Sequence, residues 1–185
     1  DQVITEYITW LKFRSDLRER RDPTIKQLAF PFGHYRPGQR ELAVAVYKTI
    51  VTSKRLFAEA PTGTGKTIST LFPTIKAIGE GVIQRIFYLT AKQSTRRVAE
   101  EAVTLMASQG LKLKSITLTA KDKIKFPEEA DLQPEENPYM LGYYDRLKPA
   151  LLDLIQHNDQ LTRPVIEDYA RCLLYTSDAA DEGLG

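Results

Sequence analysis

The sequence predicts an α/β fold, a three-layer domain in which a mainly parallel sheet lies between two layers of helices. Two observations predict it. Candidate strands and helices alternate from residue 56 to residue 119, and the turn after the first strand carries Gly63, Gly65 and Lys66. Strand, helix, strand, helix, strand at this spacing calls for right-handed crossovers, which put helices on both faces of the sheet. With 185 residues, 42% apolar and 27% charged, the chain can bury one core and has the composition of a globular protein, not of a disordered tail.

The elements follow in order. Ile4, Tyr7, Ile8 and Leu11 have the spacing of one helical face, and the helix runs through an arginine-rich stretch to Asp22-Pro23. Residues 1–27 are therefore expected to be a helical linker. Pro31, Gly33, Pro37 and Gly38 punctuate the next stretch, after which Ala43, Val46, Tyr47 and Ile50 mark a second helix. Leu56-Phe57-Ala58 is the first candidate strand, and a helix is expected from Lys66 to about Ile78, ended by Gly79 and Gly81. Arg85 to Thr90 has the β-branched and aromatic content of a buried strand. Ala99, Ala102, Val103 and Met106 mark the helix after it, and Ser115 to Thr119 is the third strand. The pattern then stops, giving an acidic, proline-bearing insertion. Helices are expected near residues 140–157, from Leu147, Leu151 and Leu154, and at Val165 to Arg171.

Charge and cysteine use narrow the functions. A net charge of +2 is too small for attraction of the whole molecule to nucleic acid, so such binding must come from local clusters. Arg14, Arg18, Arg20 and Arg21 form one, Lys92, Arg96 and Arg97 a second, and Lys112, Lys114, Lys121, Lys123 and Lys125 a third. Each could equally be a solvated face. No run approaches the roughly eighteen apolar residues of a membrane span, and no secretion signal opens the chain, so a cytoplasmic protein is expected. The single cysteine, Cys172, excludes an internal disulfide and a multi-cysteine metal site built from this chain alone.

The chemistry-bearing residues begin with Ala60-Pro61-Thr62-Gly63-Thr64-Gly65-Lys66-Thr67. A loop whose N–H groups wrap a triphosphate needs glycine where a side chain would collide or φ is positive, and Gly63 and Gly65 meet that need. Lys66 would set its ammonium against the β- and γ-phosphates. Thr67 would offer its hydroxyl to Mg²⁺, and the helix N-terminus adds partial positive charge. The strict phosphate-loop pattern has glycine at the first position, where this chain has Ala60. ATP and Mg²⁺ are thus the expected ligands, with Lys66 and Thr67 the catalytic pair. Upstream, Tyr35-Arg36-Pro37-Gly38-Gln39 supplies a glutamine whose amide can donate to and accept from an adenine edge; by itself it is also a simple turn before a helix. Tyr88-Leu89-Thr90-Ala91-Lys92 ends a strand and opens a helix, placing hydroxyl, backbone and cationic groups where a nucleic-acid phosphate could sit. Thr90, Lys92, Arg96 and Arg97 are the candidate contacts.

Together, Phe30 to Gln39, the loop 60–67, Phe87 to Lys92 and Ile116 to Ile124 resemble the XPD/DinG family of superfamily-two DNA helicases. The resemblance covers about residues 28–157. It implies a RecA-like motor domain whose N-terminal part is residues 28–119, a Q motif at Tyr35, Arg36 and Gln39 that reads adenine, and a motif Ia at Thr90 to Lys92. It also implies ATP-driven 5′-to-3′ movement on single-stranded DNA in repair or replication, and an upstream nuclease-like region before Asp1. The family carries a [4Fe–4S] cluster on four cysteines in an insertion that residues 120–171 resemble. Lys125, Leu132 and Asn137 stand where cysteines are expected, so the insertion is expected to lack the cluster and to be held by Leu132, Tyr139, Tyr143 and Leu147. Residues 172–185 look like the in-frame translation of a sequencing-library adapter, not native protein.

Hydrolysis also needs a carboxylate on Mg²⁺ and water and an arginine from a second motor domain. No strand here ends in an Asp-Glu pair, so the expected fold is a truncated motor domain plus a mostly helical insertion, weak in nucleotide binding and without hydrolysis. Two other readings stay open, a P-loop enzyme of another class such as a small kinase, and a non-enzymatic nucleic-acid-binding accessory.

Overall fold

A computed structural model describes residues 2–61, 63–118 and 143–181. The elements are α1 (Gln2–Gln27), α2 (Gln39–Val51), α3 (Lys66–Gly79), α4 (Gln93–Ser108), β1 (Ser115–Ile116), α5 (Tyr143–His157), β2 (Gln160–Leu161) and α6 (Arg163–Asp181). They fall into two compact units, Asp1–Leu113 and Lys114–Gly185.

The first unit is built around α3. Ile68, Leu71, Phe72, Ile75, Ala77 and Ile78 are buried, so this helix is apolar on most of its circumference, as a central helix must be. Helices α1, α2 and α4 all pack on it. Ile25 and Leu28 at the end of α1, Met106 of α4 and Leu111 complete the core, with Phe30, Ala99, Ala102 and Val103 against it. Helix α1 does not stop at Asp22-Pro23 but runs on to Gln27 with Pro23 inside it. Proline there forgoes the N–H that would reach Glu19 and crowds that carbonyl, a cost that the burial of Ile25, just beyond, helps to offset by drawing the last turn into the core. The N-terminal half stays outside, with Ile4, Tyr7, Ile8 and Leu11 exposed.

The junction of α1 with α3 is close. Lys76 Nζ donates to the carbonyls of Ile25 at 2.8 Å and Lys26 at 3.0 Å at the end of α1, where the Ile25 carbonyl also accepts the Leu28 N–H at 3.2 Å. Burial pushes the Lys76 ammonium below its ordinary pKa, against the opposing pull of Glu80. Gly79, expected only to end α3, is buried in its last turn. A Cβ there would lie 2.4 Å from Ile25 Cγ2, so glycine is what lets the two helices touch. Gly81, at φ +74°, makes the turn that follows.

The expected parallel sheet is corrected in extent and in partners. Among the described residues the sheet has two strands, β1 and β2, paired in parallel with Ser115 opposite Gln160 and Ile116 opposite Leu161. Residues 56–58 and 85–90 form no ladder. Phe57, Phe87 and Leu89 are 94%, 78% and 88% exposed. Their apolar sequences suit strands, but a parallel strand is stable only when neighbours satisfy its backbone, and no described segment pairs with either of them. The core that a sheet would have supplied is made by helix packing on α3 instead.

In the second unit β1 and β2 are joined through a connection containing α5, the strand-helix-strand arrangement expected of parallel pairing. Ser115 N–H donates to the Asp159 carbonyl at 2.8 Å and Thr117 N–H to Leu161 at 3.0 Å. Lys114 fixes the edge, reaching the Asp159 carboxylate at 2.9 Å and the Asn158 carbonyl at 2.8 Å. Leu154 and Leu161 are buried. Tyr169 of α6 donates to Asp153 of α5 at 2.5 Å, and that bond raises its phenol to about 12. His157 lies 3.0 Å from the same carboxylate. The expected helices near 140–157 and 165–171 are thus present as α5 and the start of α6. Of the contacts expected to hold the insertion, Leu132 and Tyr139 lie outside the described residues, as do Lys125 and Asn137; Leu147 is half-buried on α5.

Candidate functional site

The glycines of the loop before α3 do what their positions demand. Gly63 and Gly65 have φ of +81° and +74°, a region that strains any residue with a Cβ. Gly65 caps α3 without a side chain, and the first amide bonded within the helix is that of Ser69, which donates to the Gly65 carbonyl at 3.1 Å. The amides before it face out of the helix end, with the positive pole of its dipole behind them.

Lys66 crosses this loop. Its Nζ donates to the carbonyls of Ala60 at 2.8 Å and Pro61 at 2.7 Å. Thr64 Oγ1 donates to the Pro61 carbonyl at 2.8 Å, and Arg36 Nη1 to the Gly63 carbonyl at 3.3 Å. No carboxylate among the described residues pairs with Lys66, so its charge is held by neutral acceptors that phosphate oxygens would outcompete. This donor set fits a polyphosphate. Thr67 presents a hydroxyl at the same helix end, a fit for one position of an octahedral Mg²⁺ whose others would be phosphate and water oxygens. Thr62 lies outside the described residues.

Gln39 begins α2 and is only 4% exposed. Its Oε1 accepts the Arg36 N–H at 2.8 Å. Its Nε2 lies so near Gly65 that a Cβ on the glycine would come within 2.1 Å of it. The structure therefore brings Arg36 and Gln39 onto the loop. Tyr35 it turns away, stacking the ring on Phe30 with centroids 3.9 Å apart, where burial raises the phenol pKa against the pull of Arg40.

A cleft of about 550 Å³ opens beside these groups. Arg36, Gln39, Gly65 and Thr67 line it, and with them Phe32, His34 and a wall of α4 that includes Val98, Glu101 and Leu105. The sequence signalled the α4 residues only as one side of an amphipathic helix, which cannot say what that side faces. Tyr88 was a second omission. Its hydroxyl lies 3.4 Å from Thr67 Oγ1, a contact between distant residues that no local pattern encodes.

The candidate nucleic-acid residues divide into two pairs. Thr90 Oγ1 accepts the Lys92 N–H at 3.3 Å, so the two sit together at the start of α4, where Lys92 is the cap residue. Arg96 and Arg97 lie one turn on, each facing a glutamate four residues later, at 3.9 Å to Glu100 and 3.4 Å to Glu101. Successive helical residues point about 100° apart, so the two arginines do not share one face.

Among the described residues no helix is long and apolar enough to cross a membrane. A family model described as DEAD/DEAH box helicase matches residues 37–162, more than half of the chain. No curated protein and no solved structure gives a match.

Proposed function

The chain belongs to the DEAD/DEAH box helicases, and from that premise we propose that its loop 60–67 binds ATP for a DNA helicase of the XPD/DinG type with a RecA-like motor. One observation carries the reading. Lys66 spans a loop of two left-handed glycines at the head of the central helix, held among the described residues by the carbonyls of Ala60 and Pro61. A triphosphate would take those bonds from Ala60 and Pro61, receive the free amides of the first turn, and lay its base in the adjoining cleft. Ala60, Pro61, Thr62, Gly63, Thr64 and Gly65 form the cradle, Thr67 gives its hydroxyl to Mg²⁺, and Arg36 and Gln39 brace the loop and border the base.

Thr90 and Lys92 present a hydroxyl and an ammonium at the start of α4, which suits a phosphate of single-stranded DNA; Arg96 and Arg97 would join by exchanging glutamate for phosphate. The sequence has one cysteine, so an iron–sulfur cluster on the four thiolates such a cluster requires is not part of this reading. With no strand-end Asp-Glu pair among the described residues, the property assigned to the chain by itself is nucleotide binding.

The test is ATP titration of the chain and of Lys66→Ala, followed by calorimetry. Saturable binding that the substitution reduces tenfold or more, with an unchanged circular dichroism spectrum, is expected. Equal binding by both would sink the assignment of the loop.

A further inference from the structure

Tyr88 opens the segment Tyr88 to Lys92 but was given no role of its own, yet of the described side chains it is the one hydrogen-bonded to the Thr67 hydroxyl, 3.4 Å from oxygen to oxygen. It is half-exposed, without a second hydrogen-bond partner among the described residues, so the phenol is free to turn. It also lies two residues before Thr90, whose hydroxyl takes the Lys92 amide at the head of α4. We propose that Tyr88 is a positioning residue for the divalent cation of the nucleotide, orienting the Thr67 hydroxyl and tying it to the Thr90–Lys92 segment.

The hydrogen-bond inventory gives the reason. A threonine hydroxyl has one proton and two lone pairs, and a phenol has the same, so either can donate when no cation is present. With Mg²⁺ on the Thr67 oxygen the choice would disappear: Thr67 would have to donate outward, and Tyr88 would be there to accept. The bond would then leave a Thr67 lone pair for the cation and hold Tyr88, and with it the backbone leading to Thr90, in one place. Mg²⁺ demands near-ideal octahedral geometry, so a ligand left to rotate is a poorer ligand. A neutral hydrogen bond contributes about 1 kcal/mol, which is roughly fivefold in affinity.

The proposal rests on the reading of loop 60–67 as an ATP site and is separated from it by the role of the cation. Fluorescent ATP is titrated into the chain with Mg²⁺ and again with a chelator, for the wild type, Tyr88→Phe, Thr67→Val and the double variant. Tyr88→Phe is expected to weaken binding roughly fivefold with Mg²⁺ and not at all without it, and to add nothing once Thr67 is valine. Amide exchange at residues 88–92 is expected to slow on adding Mg²⁺ and ATP in the wild type, and less so in Tyr88→Phe. Binding of Tyr88→Phe that matches the wild type with Mg²⁺ overturns the proposal. So does an equal loss with and without the cation, which would make Tyr88 a prop for the loop, or additive losses in the double variant. If the wild type binds no ATP under either condition, the reading of the loop fails and this inference with it.

Discussion

At the scale of single residues the loop 60–67 is the part most plainly written in the sequence. Two glycines, a lysine and a threonine permit little else, and the left-handed φ values fall on Gly63 and Gly65. What the sequence could not tell was where the neighbouring side chains close. The sequence offers Gln39 as an amide beside the loop that can meet an adenine edge, but not that its oxygen holds the Arg36 amide and its nitrogen abuts Gly65. Those are contacts between segments, set by packing that no local spacing records. In the proposed reading, Gln39→Ala loosens both the loop and the border of the base site. ATP binding is expected to weaken severalfold and preference for ATP over GTP to narrow; an unchanged ATP-to-GTP ratio in paired titrations would leave Gln39 a brace for the loop alone. Tyr88 and Glu101 went unread for the same reason, one because its partner is Thr67, the other because an amphipathic face does not name its neighbour.

At the scale of elements, helix starts were legible and helix contacts were not. Helix α3 opens at Lys66 as expected, because a left-handed glycine directly precedes it. Gly79 was expected to be a stop, and it is a contact: Ile25 occupies the space of its missing side chain. Gly79→Ala would force the two helices apart, a cost of about 1–3 kcal/mol by analogy with overpacked cores, against which the better helix propensity of alanine returns at most about 1 kcal/mol. Chemical denaturation is expected to show a lower midpoint for Gly79→Ala than for the wild type. In the second unit the bond from Tyr169 to Asp153 links α6 to α5. The folded chain keeps the phenol proton up to about pH 12, against an ordinary value of 10.0. The sign follows: the native state binds that proton more tightly than an unfolded chain, so the stabilisation is complete below pH 10 and is lost as pH rises towards 12. Asp153→Asn is expected to lower the Tyr169 midpoint towards 10.0, observable as its ring-carbon shift by NMR. A midpoint unmoved by the substitution would assign the shift to something other than this bond.

At the scale of the whole molecule the alternating pattern was right about type and wrong about extent. Parallel pairing occurs, with a helix in the connection, but between β1 and β2, not between residues 56–58 and 85–90. Apolar, β-branched sequence shows that a segment would make a good strand; it cannot supply the strand on either side. Charge at this scale yields a test as well. If Lys92 contacts a phosphate of single-stranded DNA, binding falls with salt, and Lys92→Ala lowers the slope of log affinity against log salt by roughly 0.7. Identical slopes would return Lys92 to a solvated surface.

The clamp between α1 and α3 has a mechanical consequence. Lys66 and Lys76 belong to one helix, the first at the phosphate loop and the second gripping the carbonyls that end α1. Helix α1 has 26 residues, which at about 1.5 Å each make a rod of about 39 Å, most of it standing clear of the core. A tilt of about five degrees at the clamp would carry the far end of such a rod through about 3 Å. Displacements of the loop-bearing helix too small to notice at the loop itself would thus arrive at Val3 and Ile4 enlarged to the width of a side chain, which makes α1 an outrigger, its bearing set by α3.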